Sequence, residues 1–167
     1  EGELRSICRT AKKFSEREPL VVCDWIGHST YGDREEARRG IPENARFVPT
    51  RRLPRHELWQ EYAKYAFVAS PSGVGMDCHR TWEAIALGCV PIVIRSSLTP
   101  LFEGMPVLAI EGWDQLTAEY LQQQQQKFAA QKFDYSKILL TYWRDRINND
   151  IHDEVCLSTI DTMCFLV

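Results

Sequence analysis

Residues 67–94 read FVASPSGVGMDCHRTWEAIALGCVPIVI, and the alternation of apolar and turn-forming residues in this stretch decides the fold. Phe67, Val68 and Ala69 form a short apolar run suited to a buried strand. Ser70-Pro71-Ser72-Gly73-Val74-Gly75 ends that run with turn chemistry. Asp77 is then placed to cap a helix running to Leu87, and Gly88 to stop it. Residues 89–94, CVPIVI, are a second apolar run. Strand, helix and strand within about thirty residues is the size of a right-handed parallel crossover.

The joint between the first strand and the helix carries the chemistry. Backbone N–H groups of a glycine turn and of an opening helix point outward, and the helix dipole adds partial positive charge. Arg80 lies in the first turn and is expected to pair with a phosphate, with an ion pair to Glu83 as the structural alternative. His79 and Glu83 are four apart and share one helix face. Glu83 can accept hydrogen bonds from a ribose, so the implied ligand is a nucleotide diphosphate. Gly73 and Gly75 have a blander reading as a tight turn needing positive φ. Cys78, near the helix start, and Trp82 read most simply as structural residues.

Working outward, residues 3–16 have apolar positions at Leu4, Ile7, Cys8, Ala11 and Phe14, which is helical spacing. Residues 20–26, LVVCDWI, are a nearly continuous apolar run, as in a parallel sheet covered on both faces. The polar loop 27–33 follows. Ligands of open α/β sheets collect beyond the carboxyl ends of strands, so His28, Ser29, Thr30 and Arg34 are candidate contacts. The same rule nominates Arg95, Ser96 and Ser97 as part of the rim. Residues 34–40 form a short charged helix, 45–49 a short strand and 51–52 a basic turn. Residues 54–65 form a helix whose Leu58, Trp59, Tyr62 and Tyr65 read as core. A strand at 106–110, a helix at 116–128 with five consecutive glutamines as a polar surface, and an amphipathic helix at 135–147 complete the order. Strands alternating with helices predict an α/β fold, a Rossmann-like three-layer sandwich with a mostly parallel sheet of about five strands. Residues 1–150 would form this Rossmann-like, nucleotide-binding domain. Residues 151–167 would form a tail packing on it or on a partner domain.

Length and composition agree with that reading. A chain of 167 residues with 44% hydrophobic and 26% charged residues can bury one sizeable core. The net charge of −3 argues against non-specific nucleic-acid binding. No run has the length of a membrane helix. The six cysteines contain no C-x-x-C pair, which disfavours a zinc or thioredoxin-like site. Cys23 and Cys89 lie inside apolar runs and read as core, while Cys156 and Cys164 have the option of a disulfide. The first residue is Glu1, which suggests a processed chain or a piece of a longer one.

The run from Ser70 to Val93 resembles the signature of exostosin-like glycosyltransferases. That signature is S-P-x-G-x-G, a polar residue, H-R or S-R, W-E-A or L-E-A, then L-G-C-x-P-I-V. The resemblance extends over residues 20–150, where the order of strands and helices agrees with it, and implies one half of a GT-B architecture, in which two Rossmann-like domains face each other across a cleft. It implies that this half binds a nucleotide sugar, often UDP-linked, for transfer to a glycan or glycoprotein acceptor. By match of position, Ser70, Ser72, Gly73, Gly75 and Arg80 would meet the donor, Glu83 would hold ribose or sugar hydroxyls, and Asp77 and His79 would shape the same wall. The resemblance implies no cofactor beyond the donor, no strictly required metal, and a Golgi setting.

Two departures qualify it. Glu83 has no acidic residue eight positions away, because Gly75 and Pro91 occupy those places. The chain also has room for only one of the two domains, so the expectation is either a longer parent protein with an amino-terminal acceptor domain or a lone donor-binding domain, and no residue is named as the catalytic base. A non-catalytic nucleotide-sugar-binding or partner-assembly module is therefore the alternative. A Rossmann oxidoreductase is disfavoured because G-x-G-x-x-G is not completed: Cys78 stands where the third glycine belongs.

Overall fold

The computed structural model describes residues 2–25 and 32–154. The chain divides into two compact units, Glu1–Phe133 and Asp134–Val167. The first opens with helix α1 (Gly2–Thr10) and strand β1 (Glu18–Val22). Helix α2 (Arg34–Gly40), strand β2 (Arg46–Phe47), helix α3 (Arg55–Tyr62) and strand β3 (Tyr65–Ala69) follow. Then come helix α4 (His79–Ala86), strand β4 (Val90–Ile94), strand β5 (Leu108–Ile110) and helix α5 (Ala118–Ala129). The second unit holds helix α6 (Leu140–Glu154), so the amphipathic segment expected within the first domain falls in this unit. It leaves Leu139, Leu140 and Ile147 exposed. The Cys156–Cys164 pair and the carboxyl-terminal tail lie outside the described residues.

The sheet is five-stranded, in the order β2-β1-β3-β4-β5, and every neighbouring pair is parallel. This is the expected α/β, Rossmann-like architecture. Its register sets Val21 beside Phe67 and Val22 beside Val68. Successive strand residues point to opposite faces. Val21, Phe67, Ala69 and Ile92 pack with Ala37, Ile41, Leu121 and Phe128, from the side of α2 and α5. Val22 and Val68 pack with Ile7, Tyr62, Ala63, Ala84 and Leu87, from the side of α1, α3 and α4. The continuous apolar runs are thus explained for the central strands: β1 and β3 each serve two cores. Tyr62 is fully buried and Leu58 and Trp59 pack against the same cluster, so the aromatic stripe of α3 is core; Tyr65 belongs to β3.

Helix α4 ends as its glycine predicts. Gly88 has φ 72°, Gly88 N–H donates to Ile85 O at 3.0 Å and Cys89 N–H to Ala84 O at 2.9 Å. That pair of bonds is a Schellman closure, which satisfies the last carbonyls of the helix. Its start differs from expectation. The N-cap residue is Cys78, with no side-chain capping bond. Asp77 is engaged elsewhere: its carboxylate accepts from Trp82 Nε1 at 3.0 and 3.1 Å and from Cys78 N–H at 2.8 Å.

The glutamine run also does more than face water. Gln125 donates to Phe14 O at 2.9 Å and to Arg17 O at 2.8 Å, tying α5 to the segment before β1. No described helix is long and apolar enough to cross a membrane.

Candidate functional site

The chain runs from β1 outward to β2 and then returns past β1 to β3. The direction of winding therefore reverses between β1 and β3. Loops leaving the carboxyl ends of those two strands diverge, and a crevice opens where ligands of open α/β sheets bind. A cavity of about 520 Å³ occupies this position. Asp24 and Trp25, just past β1, form its floor. Arg51, Arg52 and Arg55 enter from the β2–α3 connection, Arg34 from the start of α2, and His79, Arg80 and Glu83 from α4. Another cavity, of about 510 Å³, lies beside the amino-terminal end of β1, lined by Thr10, Lys12, Glu18 and Lys64. It sits at the opposite edge of the sheet from the loops that diverge, and it lacks the first cavity's concentration of one charge.

The floor is a buried charge network. Arg80 Nε donates to Asp24 Oδ1 at 2.6 Å, and both side chains are 8% exposed. The Tyr62 hydroxyl donates to Asp24 Oδ2 at 2.8 Å. Arg80 Nη1 also reaches Cys78 Sγ at 3.3 Å, and its guanidinium lies 5.9 Å from the centre of the Trp25 ring. Burial pulls against the charge of Arg80, but the Asp24 carboxylate outweighs it and holds the guanidinium above its ordinary pKa. Burial, with the Asp24 charge added, pushes the Tyr62 hydroxyl up, so it stays a donor. Arg80 thus pairs with Asp24 across the sheet and not with Glu83 one turn away. Glu83 faces Arg55 at 3.7 Å, and Arg55 lies 5.9 Å over Trp59.

A second acid fixes the glycine loop. Asp33 Oδ1 accepts from Ser72 N–H and from Ser72 Oγ, each at 2.6 Å, while Oδ2 accepts from Trp113 Nε1 at 2.8 Å. Gly32 has φ 69°, and a Cβ there would lie 2.3 Å from Ser72 O, so only glycine lets the two loops meet. Ser70 is likewise engaged internally: its N–H donates to Ile92 O at 2.8 Å and its Oγ lies 2.7 Å from Thr81 Oγ1. Gly73 N–H donates to Gly75 O at 3.1 Å. The expected cradle of outward N–H groups is therefore partly closed, since Ser70, Ser72 and Gly73 use theirs within the protein. Neither Gly73 nor Gly75 has positive φ, which removes the tight-turn explanation for both. At Gly73 a Cβ would lie 3.0 Å from Arg34 Nη2 and would crowd the guanidinium.

The positive charge comes instead from side chains. Five arginines line the cavity, against the carboxylates of Asp24 and Glu83, in a chain of net charge −3. Their states differ. Arg80 is held by Asp24, Arg55 faces Glu83, and Arg51 pairs with Glu57 at 2.5 Å. Arg52 is exposed and has no ion pair among the described residues. Arg34 Nε is buried and has no hydrogen-bond partner among the described residues.

Of the residues nominated from sequence, Arg34, His79, Arg80 and Glu83 are brought together in this cavity. Ser72 and Gly73 adjoin it through Asp33 and Arg34, whereas Gly75 and Asp77 are exposed on the far part of the loop. His28, Ser29 and Thr30 lie outside the described residues. Arg95, Ser96 and Ser97 do not join the arginine cavity. Arg95 pairs with Glu111 at 2.6 Å, Ser96 lines a separate groove with Thr99 and Phe102, and Ser97 Oγ lies 3.7 Å from Met76 Sδ. The residues missed were Asp24, Trp25, Arg51, Arg52 and Arg55. The rule that nominated the loops after β1 and β4 applies equally to the loop after β2, and would have found the last three. Among the described residues no group of three or more His, Cys, Asp or Glu side chains could hold a metal ion. Compared with known proteins, the chain matches no protein-family model and no curated protein.

Proposed function

We propose that this chain is the donor-binding half of an exostosin-like glycosyltransferase of the GT-B kind, acting on a nucleotide sugar, UDP-linked, and a glycan or glycoprotein acceptor. The observation that carries the reading is the arginine-lined cavity at the reversal of the sheet, with Glu83 on its wall. A nucleoside diphosphate is multiply anionic, and guanidinium groups match its oxygens in pairs. Arginines fixed around the departing diphosphate stabilise the charge that develops as the glycosidic bond to it breaks. Glu83 offers a carboxylate to ribose or sugar hydroxyls.

One observation favours a second reading, a module that binds nucleotide sugar without transferring it. Asp24 is engaged by Arg80 and Tyr62, and Glu83 faces Arg55, so both cavity carboxylates already have partners. Calorimetric titration and thermal shift with UDP, UDP-sugars and NAD test the main reading. Saturating UDP or a UDP-sugar at about one hundred times Kd should stabilise the fold by about 2.7 kcal/mol. No heat and no shift with any nucleotide sugar would sink both readings. Binding without sugar transfer or donor hydrolysis by the full-length protein would select the second.

A further inference from the structure

We infer that the anionic group of the ligand is anchored by Arg34, beside Gly73, and by Arg52 of the same cavity, and not by Arg80. The inference rests on the reading above for the chemical class of ligand, a diphosphate ester. It starts from how the cavity cations are already engaged. Arg80 is the most deeply buried of them, yet its Nε is given to Asp24 at 2.6 Å and its Nη1 to Cys78 Sγ at 3.3 Å. A cation neutralised by a buried carboxylate has little left to offer a second anion. Arg34 stands in the opposite state. Among the described residues its Nε, a buried atom, has no hydrogen-bond partner, a costly condition that an incoming oxygen would relieve. Its Nη2 is 3.0 Å from where a Cβ of residue 73 would be. Gly73 is therefore the residue that leaves room for the guanidinium beside the loop. Ser72, next in the chain, is fixed by both of its polar groups to Asp33, which directly precedes α2 and Arg34. Loop and guanidinium are thus held by one device. Arg52 is exposed on the β2–α3 connection at the same cavity, with no ion pair among the described residues.

Calorimetric titration of the full chain with two probes, UDP and inorganic pyrophosphate, tests this. The wild-type chain should bind both. Arg34→Gln should weaken both by about ten- to a hundredfold, the loss expected for hydrogen bonds to a charged group, with Arg34→Lys between the two. Gly73→Ala keeps the cation but displaces it, and should weaken both probes several-fold; it carries the test if Arg34→Gln does not fold. Arg80→Lys, which keeps a cation beside Asp24, should lower Tm while leaving affinity within about threefold, less than one charged contact. Wild-type affinity in folded Arg34→Gln, or in Gly73→Ala, would overturn the inference while leaving the nucleotide-sugar reading intact. Pyrophosphate binding that needs Arg34, in a chain that ignores UDP, would support the inference and end that reading. A wild-type chain that binds neither probe would end both.

Discussion

Two arginines are buried to the same 7% exposure, and they sit at opposite ends of one helix. Arg17 lies at the carboxyl end of α4. Its Nη2 donates to Leu87 O at 3.0 Å, its Nη1 to Cys89 Sγ at 3.2 Å and its Nε to Lys12 O at 3.0 Å. The end of a helix is electrically negative, so a cation there is favoured before any carboxylate is added. Arg17 has no acidic ion-pair partner among the described residues. Arg80 lies in the first turn of the same helix, where the dipole opposes it. It stays charged there because Asp24 stands against it. The first arginine belongs to the fold. The second is held against the local field by a carboxylate that lines the cavity with it, at the edge where the sheet reverses.

The largest expected effect follows from the second arginine. Asp24→Ala leaves Arg80 buried without a counter-charge and the Tyr62 hydroxyl without its acceptor. Breaking one side of a buried ion pair costs about 3–5 kcal/mol, read as a fall in the urea midpoint at unchanged m. The double variant Asp24→Asn, Arg80→Met should recover most of that loss, because the uncompensated charge is then gone. A cost below about 1 kcal/mol for Asp24→Ala would show that water reaches Arg80 and that the network is not dry.

Arg17→Met breaks the other half of the comparison and should cost less. The lost bonds run to backbone carbonyls and a thiol, and the penalty is chiefly that of a buried carbonyl left unpaired, about 2 kcal/mol. Cys89 makes this end sensitive in a further way. Burial pushes its thiol up to about 12, and Arg17 moderates that rise. Urea unfolding at neutral pH measures the cost. A larger loss than for Asp24→Ala would reverse the assignment of fold and site to the two ends of α4.

Sequence spacing made the sheet legible because each strand is a compact apolar run between turn residues, and that information is local. Gly88 was legible for the same reason. The pairing of Arg80 was not. Within its helix the acid at hand is Glu83, whereas its partner Asp24 is 56 residues away and meets it only because β1 and β3 are neighbours. Asp33 and Asp77 illustrate the same limit. Each precedes a helix, and Asp77 reads as its cap, yet neither makes a side-chain capping bond. Asp33 is drawn to Ser72 and the indole of Trp113, 80 residues on, and Asp77 to the indole of Trp82. A carboxylate with an indole N–H and an amide in reach satisfies them before it satisfies a helix end that water can serve. The glycine loop was legible in position, because the turn is local, but not in chemistry. Whether its N–H groups face a ligand or the protein depends on the loops that approach it from β1 and α2.

The smallest predicted effect separates backbone from side chain at the Arg17 end. Gly88 has φ 72°, and a Cβ there would lie 3.3 Å from Arg17 Nη2. Gly88→Ala should therefore destabilise by about 1 kcal/mol from backbone strain alone, and slightly more if the guanidinium must give way. Gly88→Asn should cost less, since asparagine tolerates the left-handed region. Measured again in the Arg17→Met background, the strain term persists and the crowding term disappears. Equal costs in both backgrounds would mean that the glycine serves the Schellman closure alone. A smaller cost in Arg17→Met would mean that it also keeps open the space in which the buried arginine reaches the end of the helix.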